Sequence, residues 1–78
     1  MLREDIKEGE FYFCGRNWIH WIIEVLKCDD YYSHVKDLTY FIGDCDGDGV
    51  HSSTTEQRDI VRLATPAEKK MFLLRSIK

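Results

Sequence analysis

The sequence predicts a mainly β, α+β fold: a small antiparallel barrel of about five strands with a C-terminal helix. Two observations carry this prediction. Short segments rich in aromatic and β-branched residues alternate with turn-forming residues, and a helix start signal follows the last of these segments. The 78 residues predict a single domain, with the barrel over 9–63 and the helix over 66–77, because a chain this short buries only one core.

The first two strands are predicted from residue type and alternation. Residues 10–14 are rich in strand-favouring aromatic side chains, and residues 15–17 are predicted to form a turn. Residues 18–26 alternate so that Trp21, Ile23 and Val25 share one face, and their β-branched content favours a strand over a helix. Residues 10–14 and 18–26 are therefore expected to be two consecutive strands joined by this turn.

The middle of the chain is predicted to contain a third strand and an acidic loop. Residues 27–30 resemble a polar hairpin connection, after which a strand begins at Tyr31 or Tyr32 and ends at Ile42. Residues 43–49 hold three glycines and three aspartates, so they are predicted to be a loop.

The segment between this loop and the helix has two interpretations. Residues 51–58 form either an edge strand or a loop, and residues 60–63 are predicted to be a last short strand. A helix over residues 56–64 is the alternative to that arrangement.

The C-terminal helix is predicted from its first residues. Thr65 suits the N-cap position, Pro66 suits the first helical position, and Glu68 stands three residues after the cap, as in a capping box. Apolar residues from Met71 to Ile77 indicate that the helix packs on the barrel or on a partner.

Charge and cysteine content limit the cellular compartment and the class of partner that can be expected. The net charge of −3 repels phosphate backbones and argues against a nucleic-acid binder, although residues 66–78 carry a local excess of basic side chains. Three cysteines without a Cys-x-x-Cys pair fit a reducing compartment, and the charged N-terminal residues do not resemble a secretory signal. We expect a cytoplasmic protein that is not inserted in a membrane.

One motif suggests calcium binding. Asp44, Asp46 and Asp48 stand at positions one, three and five of a sequence similar to the first half of an EF-hand loop. Thr55 occupies position twelve, where a bidentate glutamate is needed, so a glycine-aspartate hairpin loop is the favoured alternative. Apart from this candidate Ca²⁺ site, no cofactor is predicted.

Other chemistry has little support in the sequence. Each histidine follows a cysteine by six positions, but six residues of extended strand separate side chains by about 20 Å, too far for a shared zinc ion. Only a turn between the partners, such as one over residues 29–33, would bring a pair together. The sequence holds no recognisable nucleophile elbow, phosphate loop or paired-carboxylate motif, so an enzyme is not predicted.

Aromatic residues and the basic helix are the strongest candidates for binding. Exposed aromatic side chains often anchor protein interfaces, and basic side chains beside them offer a charged rim. A nucleic-acid surface on the helix is the alternative use of the same cations. The interaction residues predicted on this basis are Tyr12, Trp18, Tyr31, Tyr32, Lys69, Lys70 and Arg75.

Three segments resemble small uncharacterised proteins of phages and prophages: GEFYFC at residues 9–14, WI at 18–19, and IVRLATPAEK at 60–69. In these proteins aromatic strands form a Src-homology-3-type barrel, and a helix opens with an Ala-Thr-Pro-x-Glu-Lys signature. The resemblance implies this fold, a host cytoplasmic location, and an accessory role in which the protein binds a host or phage protein, for example to block a host defence enzyme. From the exposed aromatic residues and the charged surfaces we expect a non-enzymatic module that binds another protein or itself.

Overall fold

The computed structural model describes residues 1–17, 19–41, 44–45 and 50–76, of which residues 39–41, 44–45 and 76 are described by their backbone. The elements in chain order are a 3₁₀ helix (Arg3–Asp5), β1 (Phe11–Arg16), β2 (Ile19–Cys28), β3 (Tyr32–Phe41), β4 (Asp44–Cys45), β5 (His51–Glu56), a second 3₁₀ helix (Gln57–Asp59), β6 (Ile60–Leu63) and α1 (Pro66–Ser76). The prediction of a mainly β fold with a C-terminal helix is confirmed.

The strands form one antiparallel sheet in the order β4-β3-β2-β1-β6. Both β5 and β4 pair with β3, β5 along residues 32–37 and β4 along residues 40–41. Because β4 is only two residues long, five longer strands carry the architecture in the described part of the chain. This agrees with the predicted number of strands.

The connection between β5 and β6 requires the sheet to curl. These strands lie at opposite edges of the sheet, since β5 pairs with β3 and β6 pairs with β1. Four strand spacings across a flat sheet span about 19 Å, whereas Glu56 and Ile60, four residues apart, lie at most about 14 Å apart. The two edges must therefore approach each other, as in a small β-barrel.

The inner face of the curled sheet holds the larger of two apolar clusters. The antiparallel register places Tyr12 opposite Ile23 and Val25 opposite Val35, so each pair projects to the same side. These residues are at most 1% exposed and form a cluster with Ile6, Cys14 and Ile60. Full burial of each large aliphatic side chain contributes about 1.5–3 kcal/mol, so this cluster makes a large contribution to the stability of the sheet.

The outer face holds a smaller cluster under α1. Phe11, Ile22 and Leu38 project from neighbouring strands and pack with Phe72 of the helix. The rings of Phe11 and Phe72 meet edge to face, with centroids 5.2 Å apart. Of the α1 side chains that the structure describes, Phe72 is the one that is fully buried.

The predicted capping box at the start of α1 is confirmed. The Glu68 amide donates to the Thr65 hydroxyl oxygen at 3.2 Å, and the Thr65 amide donates to a Glu68 carboxylate oxygen at 2.8 Å. Arg62 of β6 donates to both oxygens of the same carboxylate, at 2.7 and 3.0 Å. The start of the helix is therefore attached to the edge of the sheet.

Two local predictions differ from the structure. The turn predicted at residues 15–17 is shorter, because Gly15 remains in β1 opposite His20 and only Asn17 adopts the left-handed conformation, with φ 56°. The helix proposed over residues 56–64 is wrong, since only Gln57–Asp59 are helical and Ile60–Leu63 pair with β1. Pairing with β1 outweighs the local helical preference.

Candidate protein-binding site

The β2–β3 hairpin ends in a tight turn that carries two adjacent tyrosines. The Asp29 amide donates to the Tyr32 carbonyl at 2.8 Å and closes the turn. Tyr31 is 78% exposed and Tyr32 is 48% exposed. Both were predicted to lie at the surface, and the structure confirms that placement.

The turn is attached to the second 3₁₀ helix through Gln57. The side-chain amide of Gln57 donates to the Asp29 carbonyl at 2.7 Å and to the Tyr32 carbonyl at 3.3 Å. Its backbone amide donates to the Tyr31 carbonyl at 3.0 Å. Because Gln57 is itself buried, these three bonds anchor the backbone beneath both tyrosines to the interior of the fold.

Tyr32 borders a groove of about 440 Å³ that we call the tyrosine groove. Its apolar surface comes from Ile19, Trp21 and Tyr32, and the Trp21 indole N–H donates to the Thr55 hydroxyl at 3.2 Å. The complete lining is Arg16, Ile19, Trp21, Tyr32, Asp37, Ser53, Thr54, Thr55, Glu56 and Asp59.

The tyrosine groove is acidic, with three carboxylates against the Arg16 guanidinium. Arg16 lies 2.6 Å from Asp59 and 3.4 Å from Glu56, and the hydrogen bond to Asp59 is the main cause that raises the pKa of Arg16. Arg58 Nε also lies 2.5 Å from a Glu56 carboxylate oxygen. Asp37 has no ion pair or hydrogen bond to another described side chain, so the groove retains an unneutralised negative charge.

A second groove, of about 610 Å³, is lined by both Tyr31 and Tyr32. Tyr32 therefore borders both concave surfaces, whereas Tyr31 borders the second one. The remaining lining residues are Met1, Leu2, Arg3, Asp30, Glu56, Gln57 and Arg58.

Cys28 and His34 belong to the same hairpin and make other contacts. His34 Nε2 lies 2.6 Å from a carboxylate oxygen of Asp29, and this hydrogen bond lowers the pKa of Asp29 below its ordinary value. The Cys28 thiol lies 3.6 Å from the Ser33 hydroxyl. Within the described ranges, no group of three or more histidine, cysteine or acidic side chains is arranged to hold a metal ion.

One of the predicted interaction residues is buried. The prediction that Tyr12 is exposed is wrong, because β1 alternation places its ring in the inner cluster, where Tyr12 is 1% exposed. Its hydroxyl accepts from the Lys7 amide at 2.8 Å and donates to the Asp5 carbonyl at 3.4 Å. Trp18 lies outside the described residues.

The three predicted basic residues of α1 occupy different environments. The Lys69 ammonium lies 5.0 Å from the centre of the Phe11 ring, where it covers the outer cluster. Lys70 and Arg75 are exposed beside Leu74, and together with Ala67 and Met71 they line a shallow groove of about 410 Å³. Two of the three cations therefore lie on an accessible apolar surface.

The structure places only part of the predicted calcium motif. Asp44 lies in β4, where its backbone pairs with Phe41 of β3, so the loop predicted over 43–49 is wrong at residues 44–45. Asp46 and Asp48 lie outside the described residues. Calcium binding by this segment therefore stays a prediction.

Several residues of the site were not predicted, notably Gln57 and the acidic lining of the tyrosine groove. Gln57 stands in a polar segment whose sequence gives no sign of a distant turn as its partner. Asp37 and Glu56 approach the groove only because β5 pairs with β3. Long-range strand pairing, rather than a local motif, assembles the site.

Comparison of the chain with models of protein families, with curated proteins and with solved structures found no match. No helix among residues 1–17, 19–41, 44–45 and 50–76 combines the length and apolar character needed to cross a bilayer.

Proposed function

We propose that this protein is a non-enzymatic interaction module in which a Src-homology-3-type barrel presents Tyr31 and Tyr32 to a partner protein. The observation that carries the proposal is the exposed tyrosine pair on a turn held by buried Gln57. The curled sheet, with its 3₁₀ helix between β5 and β6, supports the barrel that the resemblance to phage proteins implies.

Tyrosine is well suited to this role. Its ring supplies a large apolar contact area and its hydroxyl remains able to form a hydrogen bond, so tyrosine is frequent among the residues that dominate binding energy. A turn already fixed by hydrogen bonds loses little further conformational entropy when a partner binds. The grooves beside Tyr32 provide the concave surface that partner side chains require.

The partner that we propose is a host-cell protein. The resemblance to phage and prophage proteins supports an accessory protein acting in the host cytoplasm, where a small domain inhibits a host defence enzyme by covering part of its surface. Because the tyrosine groove carries uncompensated carboxylate charge, the partner segment should present a basic side chain beside an apolar one.

Affinity capture from host-cell lysate tests the proposal when it compares three forms of the protein. The test variant is Tyr31→Ala/Tyr32→Ala. The matched control is Val61→Ala/Leu63→Ala, which removes two side chains of similar exposure, 57% and 55%, from the edge strand β6. Circular dichroism and thermal melting establish that all three forms are folded.

We expect the wild type and the control to capture one or more proteins in equal amounts. The tyrosine variant should capture at least tenfold less of these proteins. A loss of this size corresponds to about 1.4 kcal/mol or more of binding free energy. Identical captured proteins for all three forms, or none for any form, would contradict the proposal.

A further inference from the structure

We infer that the tyrosine groove of one molecule binds the exposed face of α1 from a second copy of the same chain, so that the protein assembles head to tail. The inference rests on the binding groove proposed above and names one occupant for it. It is carried by the complementarity of two surfaces that lie on different parts of the molecule.

The donor surface is a stripe along α1 that we call the basic stripe. Its members, Ala67, Lys70, Met71, Leu74 and Arg75, recur at the three- and four-residue spacing of one helix face and line a common shallow groove. Leu74 is 63% exposed at its centre. Lys70 and Arg75 form no ion pair with another described residue, so their charges are available to a partner.

The acceptor surface has the opposite character. The tyrosine groove offers the apolar surface of Ile19, Trp21 and Tyr32, with Asp37, Glu56 and Asp59 around it. Its volume of about 440 Å³ admits a few side chains. Leu74 matches the apolar surface, and Lys70 and Arg75 match the net negative charge that remains after Arg16 and Arg58 have paired with Asp59 and Glu56.

The contact joins unlike surfaces, which determines the form of the assembly. Each copy retains a free groove after its helix has docked and a free helix after its groove has been filled. Such a heterologous contact adds further copies unless the rotation closes a ring. The average mass should therefore rise continuously with concentration.

The contact is expected to be weak and sensitive to salt. Each surface is small compared with the roughly 800 Å² per partner of a stable interface, so association should appear only at about 100 μM or above. The charges on both surfaces are exposed, so about 500 mM salt should screen most of their attraction.

Sedimentation equilibrium of the full chain, from about 10 μM to about 1 mM in about 50 mM salt, tests the inference. The helix variant is Lys70→Glu/Arg75→Glu, and its control is Lys27→Glu/Lys36→Glu, which changes net charge equally at exposed positions on the sheet. The groove variant is Asp37→Lys, and its control is Glu8→Lys, at an exposed position outside the tyrosine groove.

The wild type and both controls should rise above the monomer mass of 9.2 kDa, whereas both test variants should remain monomers. An equimolar mixture of the two test variants should form a complex of about twice the monomer mass and nothing larger. In that mixture the intact helix of the Asp37→Lys chain meets the intact groove of the other chain, and no further copy can add.

A wild type that stays monomeric up to about 1 mM would overturn the inference. So would a test variant that associates like its control, or a mixture that stays monomeric. If the wild type is monomeric while tyrosine-dependent capture of a host protein persists, the proposed function stands and only self-assembly is refuted. If assembly follows the expected pattern without any captured protein, only the host partner is refuted.

Discussion

The two exposed surfaces of this protein are held in place by different means. The tyrosine turn is fixed by three hydrogen bonds from buried Gln57, in addition to the pairing of β2 with β3. The described part of α1 has one fully buried side chain, Phe72, and its first turn is joined to β6 through Glu68 and Arg62. The turn is therefore an integral part of the sheet, whereas the helix packs on the outer face of the sheet as a separate element.

This difference indicates which surface can change without loss of the fold. An 11-residue helix is marginal by itself and depends on docking, so local opening should detach α1 while the inner cluster remains intact. The tyrosine turn should open only with the sheet. Substitutions at the two surfaces therefore separate local from global stability.

The largest effect is expected for Phe72→Ala, which removes the ring that packs against Phe11 under the helix. Large-to-small substitutions of buried aromatic residues cost about 3 kcal/mol or more. We expect Phe72→Ala to weaken the docking of α1 on the sheet by about 3 kcal/mol. Hydrogen exchange should show loss of protection in α1 and retained protection in β1, β2 and β3. Equal loss of protection throughout the sheet would show that the helix is not a separable layer.

Gln57→Ala should have the next largest effect. The substitution leaves the carbonyls of Asp29 and Tyr32 without their side-chain donor in a partly buried site, at a cost of about 2 kcal/mol. Unlike Phe72→Ala, it should lower the urea midpoint of the whole sheet and broaden the amide resonances of the turn. An unchanged midpoint would mean that the turn does not depend on Gln57.

Thr65→Ala should cost about 1 kcal/mol, because it removes the hydroxyl that accepts from the Glu68 amide at the start of α1. Thr65→Ser keeps that acceptor and serves as the control. The free energy of urea unfolding should fall for alanine and stay within about 0.5 kcal/mol of wild type for serine. Equal loss in both variants would contradict a capping role.

The Arg62–Glu68 pair should give a smaller dependence on pH. The hydrogen bonds from Arg62 hold the pKa of Glu68 below its ordinary value of 4.5. A carboxyl with a lowered pKa in the folded state stabilises the fold above about pH 4.5, and that contribution is lost as pH falls through the folded-state pKa.

Glu68→Gln should therefore flatten the fall of the unfolding free energy between about pH 5 and pH 3, measured by urea titration at each pH. Glu8→Gln replaces an exposed carboxylate elsewhere and should follow the wild-type curve. If both variants behave like the wild type, the pair does not contribute to stability.

The smallest effect on stability is expected at the proposed binding residue itself. Tyr31 is 78% exposed, so Tyr31→Ala should change the free energy of unfolding by less than about 0.5 kcal/mol. A larger loss in urea unfolding would assign Tyr31 a structural role and would weaken the proposed function.

Much of the fold follows from local sequence signals. Alternation of apolar residues in β2 predicts which side chains enter the inner cluster, and the residues from Thr65 to Glu68 predict the start of α1 from the chemistry of its unsatisfied amides. The same alternation did not predict that Tyr12 is buried, because β1 carries aromatic residues on both faces and both faces are covered.

The candidate site was predicted less completely, for a physical reason. The exposure of Tyr31 and Tyr32 follows from their position beside a polar turn, which is a local property. The contact of Gln57 with the turn and the position of Asp37 beside the β5 residues of the groove depend on the pairing of β5 with β3. Such long-range pairing leaves no local pattern in the chain.

The most direct test of the central claim is site-specific photo-crosslinking in host cells, with a photoreactive phenylalanine analogue placed at Tyr31. The control places the same analogue at Lys36, an exposed position in β3 that lines neither groove. If Tyr31 and Tyr32 contact a partner protein, position 31 should give one or a few discrete crosslinked products, and position 36 should give none of these. No product from position 31, or the same products from both positions, would contradict the account.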